Sequence, residues 1–148
     1  MDELTQYLKL DIYYDESKIE QILNKKIIIT KDHIDNIKIN RCYSRGFNII
    51  KLFKKYGYVF TNDDYVMLVN KYGYAIQFIP SDKQTDEICK IAVGLSGCAL
   101  TYISENKKTD EICKIAVQQN RYALTYVPAN KKYLFIKKWN YQYLINYN

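Results

Sequence analysis

Histidine, proline and glycine are scarce in this chain. Its 148 residues include one histidine, two prolines and five glycines. A single histidine excludes a multi-histidine metal site, and the glycine-rich phosphate and dinucleotide loops and the Gly-x-Ser-x-Gly nucleophile motif are absent. We therefore expect no enzymatic activity, no cofactor and no metal. The one histidine, His33, falls in the first turn of a predicted helix, where a surface or capping role is expected.

Long apolar runs are also missing. No stretch approaches the roughly 18 apolar residues of a membrane-spanning helix. The opening Met-Asp-Glu-Leu-Thr-Gln is acidic and no apolar segment follows it, so no secretory signal is expected. The net charge of +6 favours mild attraction to anions without specifying a fold. These features predict a cytoplasmic protein that does not enter a membrane.

The four cysteines do not form a metal-binding pattern. They are Cys42, Cys89, Cys98 and Cys113. Their separations are too wide for the closely spaced ligand pairs of a zinc site, and an intracellular setting disfavours disulfides. Cys89 and Cys113 lie beside Ile and Ala in predicted helices, so we expect both thiols in the core.

An internal repeat dominates the second half of the chain. Residues 85–108 and 109–132 are identical at 16 of 24 positions, and residues 61–84 match 85–108 at 6 of 24, mainly at apolar and turn positions. A fixed period of this length indicates stacked repeats. We therefore predict one domain over 1–148. It comprises a divergent N-terminal helical region (1–60), three units (61–84, 85–108 and 109–132) and a degenerate C-terminal cap (133–148).

Each unit is predicted to be a helical hairpin. Thr61, Thr85 and Thr109 open the units as helix N-caps, as Thr30 does earlier in the chain. Apolar residues at helical spacing follow, then a turn at Gly97 or its equivalent, then a second short helix over 98–103. Such short helices need neighbouring units for stability. The predicted fold is therefore all-α, with hairpins stacked as a short α-solenoid.

The units resemble a short helical repeat family of unknown function from giant amoeba-infecting DNA viruses and some intracellular bacteria. The residues that carry the resemblance are Asp86 with Ile88, Ala92-Val93, Gly97 and Ala99-Leu100, and their counterparts from Asp110 to Leu124. The abundance of Lys, Ile, Asn and Tyr suits an AT-rich viral genome. The resemblance implies a helical repeat fold in the host cytoplasm or the virion, and it implies no activity.

The turn between the two helices is the first candidate interaction surface. Units two and three differ at eight places, five of them consecutive: Gly94–Cys98 against Gln118–Tyr122. A copied scaffold with a varied turn favours a protein-binding scaffold or adaptor, although exposed turns also drift freely after duplication. The predicted contacts mix these turns with aromatic and basic residues of the C-terminal cap: Lys71, Tyr72, Tyr74, Gln118, Gln119, Arg121, Tyr122, Lys138, Trp139 and Tyr141.

The same mixture of rings and cations leaves a second interpretation open. Tyrosine and lysine side chains together stack bases and neutralise phosphates, so RNA or DNA binding is the alternative function. A third prediction is self-association through the C-terminal cap. Tyrosines packed in a core with lysines solvated at the surface would be the structural explanation of the same composition.

Overall fold

The computed structural model describes residues 1–10, 15–37 and 49–135. Within these ranges the chain is helical and contains no β-strand, which confirms the predicted all-α class for this part of the chain. A last helical stretch covers residues 129–135. The α-helices are α1 (Glu3–Lys9), α2 (Glu16–Leu23), α3 (Lys31–Asn36), α4 (Ile49–Lys55), α5 (Asn62–Lys71), α6 (Asp86–Leu95) and α7 (Asp110–Gln119). The 3₁₀ helices are Gly73–Phe78, Ser81–Lys83, Gly97–Tyr102, Glu105–Lys107 and Arg121–Tyr126.

Helix α1 lies where the sequence pattern is weak. Asp2 is its N-cap and accepts a hydrogen bond from the Thr5 N–H at 2.9 Å. Leu4 and Leu8, one helical turn apart, are fully buried. The helix packs against α2 and α3. Two leucines and one cap therefore suffice to fix this short helix, because tertiary packing supplies most of its stability.

The three threonines that open the units are N-caps, as predicted. The Thr61 side chain accepts from the Asp64 N–H, and Thr85 and Thr109 accept from Ile88 and Ile112 in the same way. Of the three units, only the first has a capping box, because there the Thr61 N–H also donates to the Asp64 carboxylate. These caps set the first residue of α5, α6 and α7.

The helices of the repeated region form two columns. Helices α5, α6 and α7 pack one on the next, and the 3₁₀ helices Gly73–Phe78, Gly97–Tyr102 and Arg121–Tyr126 pack in the same order beside them. The second helix of each unit is thus a 3₁₀ helix that begins one residue earlier than the predicted 98–103 segment. Six residues close few i→i+4 bonds, so the tighter i→i+3 pattern can prevail.

The sequence predicts an apolar face on α6 formed by Ile88, Ile91, Ala92 and Leu95 and widened by Cys89 and Val93. Ile88 and Ala92 are fully buried as expected, and so are Cys89 and Val93. The expectation for Leu95 was wrong, because its side chain is 49% exposed. Leu95 is the last residue of the helix, where the chain turns away from the core. Helix α6 packs against both α5 and α7.

Charged residues in the helix column pair between units. The sequence predicts i,i+4 pairs within α6 and α7, but the Lys90 Nζ lies 2.8 Å from a carboxylate oxygen of Glu111 on the next helix. Asp110 is paired within its own unit, with Lys131 at 2.9 Å. Exposed pairs of this kind contribute little stability each.

Candidate interaction surface

The turns between the two helices of each unit lie on one edge of the stack. A single extended residue, Tyr72, Ser96 or Asn120, separates each α-helix from the 3₁₀ helix that follows. The turns touch in succession, since a Cβ atom on Gly73 would lie 3.3 Å from the Cβ of Ser96. We call residues 70–74, 94–98 and 118–122 together the turn edge.

Two glycines allow this close stacking. A Cβ atom on Gly73 would lie 2.7 Å from the carbonyl oxygen of Ala92, and Gly97 stands in the same relation to Ala116. Both glycines are buried. The turns of units one and two are therefore each held by backbone contact with the following unit.

The predicted contact residues of the turn edge differ in exposure. Tyr122 is 78% exposed, and Gln118, Gln119 and Arg121 are also exposed. Tyr72 and Tyr74 are half-buried and pack against the core. The structure thus brings these six residues to one edge, and the members from unit three project furthest into solvent.

Gln119 also connects two units. Its Oε1 accepts a hydrogen bond from the Gly97 N–H at 2.6 Å, and its Nε2 donates to the Leu95 carbonyl oxygen at 3.3 Å. These bonds satisfy backbone groups left unpaired at the end of α6. Sequence reasoning placed Gln119 among the partner contacts and missed this internal role.

Lys71 is bonded to the N-terminal region. Its Nζ donates to the carbonyl oxygens of Asp35 and Ile37, at the C-terminal end of α3. Burial lowers the pKa of this ammonium group. Lys71 therefore stabilises the junction between residues 31–37 and unit one, besides lying on the turn edge.

Aromatic rings link the first two units. The ring centroids of Tyr72 and Tyr74 are 5.6 Å apart, and those of Tyr74 and Tyr102 are 6.2 Å apart in an edge-to-face arrangement. Tyr102 is 40% exposed and Tyr126, its counterpart in unit three, is 39% exposed. The turn edge therefore continues into the 3₁₀ column as an aromatic surface.

An open cavity lies at the unit-three end of this surface. Its volume is about 490 Å³, and Arg121, Tyr122, Leu124, Thr125 and Lys132 line it. The Lys132 Nζ donates to the Thr125 carbonyl oxygen at 3.4 Å. The remaining predicted contacts, Lys138, Trp139 and Tyr141, lie outside the described residues.

Two buried polar residues hold the units together and were missed from the sequence. Gln84 closes unit one: its Nε2 donates to the Tyr102 carbonyl oxygen, and its Oε1 accepts from the Ser104 N–H. Lys108, which closes unit two, donates to the Tyr126 carbonyl oxygen at 3.2 Å. Both are the last residue of their unit, and this shared position was the sequence signal that could have identified them.

A second polar cluster centres on Asp64, which is fully buried. Its carboxylate accepts from Lys31, from Thr61 and, at 3.2 Å, from the Tyr58 hydroxyl. Burial acts to raise the pKa of Asp64, but the bonds from Lys31 and Thr61 outweigh it and hold that pKa below its usual value. Burial, followed by the nearby Asp64 charge, raises the pKa of Tyr58 to about 12. This cluster fastens α3 to unit one.

Thr30, His33 and Asp2 are linked by hydrogen bonds in the order hydroxyl, imidazole and carboxylate, as in a catalytic triad. The bonds that His33 makes do not fit a triad. The Thr30 N–H donates to His33 Nδ1 at 2.9 Å, so Nε2 carries the proton and bonds Asp2 Oδ1 at 3.0 Å. The lone pair that a general base would use is thus already engaged. His33 is 3% exposed. The capping prediction is confirmed and the surface prediction was wrong, since His33 joins α3 to α1.

The cysteines and acids of the described residues do not assemble into a metal-binding cluster. Cys89 and Cys113 are fully buried free thiols, as predicted, and burial raises the pKa of Cys89 to about 11. In the described ranges, no cluster of three or more His, Cys, Asp or Glu residues could hold a metal ion. None of the helices described is both long and apolar enough to cross a membrane.

Comparison with known families gives one match. A family model described as a domain of unknown function (DUF4116) matches residues 65–106 and again residues 87–131, which together cover less than half of the chain. The chain is therefore similar to this family over its repeated region. Comparison with the curated proteins and with the solved structures found no match. The viral or bacterial resemblance stays a prediction.

Proposed function

We propose that the chain is a non-enzymatic protein-interaction scaffold or adaptor built as a short α-solenoid. The spacing of its elements supports this architecture, since Asp86–Leu95 and Gly97–Tyr102 recur 24 residues later as Asp110–Gln119 and Arg121–Tyr126. Gln84 and Lys108 act at equivalent positions to fasten each unit to the next. A stack of this kind presents an extended surface to a partner.

The observation that carries the proposal is a set of exposed apolar side chains on a fixed backbone. Leu95, Tyr102 and Tyr122 project from the turn edge and the adjoining 3₁₀ column. Their backbone is held by the glycine contacts and by Gln119. Neighbouring exposed apolar groups with a polar surround are typical of interaction sites, and tyrosine is enriched there. The proposed setting is an intracellular viral or host–pathogen assembly.

Site-specific photo-crosslinking tests this proposal. A benzophenone amino acid at Tyr122 or Tyr102 should capture a discrete protein from host lysate treated with nuclease. Ile28 and Val59 are the controls, since they are 82% and 83% exposed but lie away from the turn edge. Equal capture at all four positions, or capture at the controls alone, would contradict the assignment of the turn edge.

The second candidate function is RNA or DNA binding. The observation that favours it is that Arg121, Lys132 and the exposed Tyr122 ring line the same cavity. Phosphate contacts release counterions, so binding to an oligonucleotide should weaken steeply as salt rises. Affinity for a nucleic acid that is insensitive to salt would exclude this mode. Self-association through residues 133–148 is a third proposal, and a mass that rises with protein concentration would support it.

A further inference from the structure

The 3₁₀ column presents an aromatic ring at the same position of every unit. Phe78, Tyr102 and Tyr126 are the last residues of their 3₁₀ helices and lie 24 residues apart. Phe78 is half-buried, while Tyr102 and Tyr126 are 40% and 39% exposed. Because the three 3₁₀ helices pack in order, these rings follow one another along the column. We call the three residues the aromatic row.

The two exposed members of the aromatic row have matched surroundings. The Tyr102 carbonyl oxygen accepts a hydrogen bond from Gln84 Nε2 at 3.0 Å, and the Tyr126 carbonyl oxygen accepts from Lys108 Nζ at 3.2 Å. Gln84 and Lys108 are both buried. Among the described residues, neither tyrosine hydroxyl is hydrogen-bonded. Each unit therefore fixes the backbone of the next tyrosine and leaves its hydroxyl available to a ligand.

The column that carries the aromatic row is almost uncharged. The 3₁₀ helices of units one and two contain no charged residue, and that of unit three contains Arg121 alone, at the end away from the row. The segments that follow hold acids and lysines in pairs, Asp82 with Lys83 at 3.4 Å and Glu105 with Lys108 at 2.6 Å. An acidic peptide or a nucleic acid would find few cations here to offset its lost hydration. The charge of the column is therefore matched by an uncharged segment.

The repeat of the aromatic row fits a polyproline II helix. Packed helices lie about 8–10 Å apart, so the equivalent ring of the next unit recurs at about that distance. A polyproline II helix has three residues per turn and rises about 3.1 Å per residue, so one face recurs about every 9 Å. One proline ring per turn would then lie on each member of the row. Its carbonyl oxygens have no internal hydrogen bonds and can accept from the tyrosine hydroxyls.

The chain itself does not supply such an occupant. It contains two prolines, Pro80 and Pro128, and they lie 48 residues apart. Neither a second copy nor another part of this chain can therefore provide a proline-rich segment. The occupant has to come from another protein.

We infer that the aromatic row binds an uncharged proline-rich segment of another protein in the polyproline II conformation. Such a segment loses little conformational entropy on binding, because the proline ring already fixes φ. Docking of proline-rich segments on aromatic surfaces is a general mode of peptide recognition. This inference rests on the proposed scaffold function and names the kind of segment that its 3₁₀ column recognises.

Fluorescence anisotropy with the full-length protein tests the inference. The probe is a labelled oligoproline of about nine residues, which spans three turns. A labelled Gly/Ser peptide of equal length is the flexible control. The oligoproline should bind and the Gly/Ser peptide should not. Its affinity should change little with salt, because no charge pairing is involved.

Variants of the aromatic row locate the binding. Tyr126→Ala and Tyr102→Ala should each weaken oligoproline binding about tenfold, as loss of a central aromatic contact implies. Tyr126→Phe keeps the ring and should weaken binding about threefold, because it removes one hydrogen bond. Tyr133→Ala removes an exposed tyrosine outside the row and should leave the affinity unchanged. Circular dichroism checks that each variant keeps its helices, and Tyr126→Phe still tests the row if an alanine variant unfolds.

Three results would overturn the inference. The first is an oligoproline that binds no tighter than the Gly/Ser peptide. The second is an affinity that the folded variants Tyr102→Ala and Tyr126→Ala do not change. The third is tighter binding of an acidic peptide or of oligothymidine that the same two variants weaken, which would assign the row to a charged ligand. Capture of a host protein at Tyr102 despite any of these results would leave the scaffold proposal standing, whereas failure of both would contradict that proposal as well.

Discussion

Gly97 lies directly against the backbone of the next unit. A Cβ atom on this residue would lie 2.3 Å from the carbonyl oxygen of Ala116, a distance that side-chain carbons do not tolerate. The Gly97 N–H also donates to Gln119 Oε1 at 2.6 Å. One residue of unit two therefore fixes how closely α7 approaches.

Replacing Gly97 by alanine should loosen this contact. We expect Gly97→Ala to lower the free energy of unfolding by about 1–3 kcal/mol, because the added methyl group must displace the backbone of α7. Gly94 is the matched control, since it lies in α6 with no atom near its Cβ position. Gly94→Ala should stabilise the protein by about 1 kcal/mol or less. Urea unfolding compares the two, and equal effects would remove the close-contact argument.

The Gln84 side chain predicts a second effect on stability. It is 3% exposed and forms bonds to the Tyr102 carbonyl oxygen and the Ser104 N–H. Gln84→Ala leaves these groups buried and unpaired, so the free energy of unfolding should fall by about 1–3 kcal/mol. Gln84→Lys, which copies Lys108 into unit one, should recover part of the loss.

Thermal and urea unfolding of these variants provide the measurement. The exposed Gln118 is the control, and Gln118→Ala should change stability by less than about 0.5 kcal/mol. A Gln84→Ala variant as stable as the wild type would show that Gln84 does not fasten unit one to unit two.

The features that were predicted correctly from the sequence are those set by residues within a single unit. The threonine caps follow from Thr and acidic residues at the start of each apolar segment, and the buried Cys89 and Cys113 follow from the helical pattern around them. These features need only the local chain. The all-α class follows from the same patterns.

Contacts between units could not be read from that pattern. The bond between Gln119 and Gly97 and the bond between Gln84 and Tyr102 depend on how two units are placed side by side. Lys90 pairs with Glu111 for the same reason, although an i,i+4 partner is available in sequence. The 3₁₀ form of the second helix also depends on its neighbours, because six residues have little preference of their own.

The cysteines should differ in reactivity in the folded protein. Cys89 and Cys113 are buried, and burial raises the pKa of both thiols, which lowers the fraction of reactive thiolate. Cys98 is only half-buried. Among the three cysteines of the described residues, we expect iodoacetamide to modify Cys98 first, with Cys89 and Cys113 protected until the protein is unfolded in urea. Peptide mass spectrometry distinguishes the sites, and early labelling of Cys89 would contradict its burial in the core.

The stability of the junction between α3 and unit one should depend on pH through Asp64. Its pKa in the folded protein lies below the value of about 3.9 in unfolded chains. The carboxylate therefore stabilises the fold above that value, and the contribution is lost as the pH falls through the folded-state pKa. Asp64→Asn should lower the free energy of unfolding at neutral pH by about 1–3 kcal/mol, because Lys31 and Tyr58 lose a charged acceptor.

Urea unfolding at neutral pH and at about pH 3 separates this contribution from a general acid effect. The difference in unfolding free energy between the wild type and Asp64→Asn should shrink as the pH falls. Asp2, whose pKa is also lowered, mainly by the bond from the Thr5 N–H, leaves some acid dependence in the variant. Asp63→Asn removes the same charge from the exposed neighbour and should change stability by less than about 0.5 kcal/mol at neutral pH. If the difference in unfolding free energy between the wild type and Asp64→Asn does not change with pH, Asp64 acts through its shape and not through its charge.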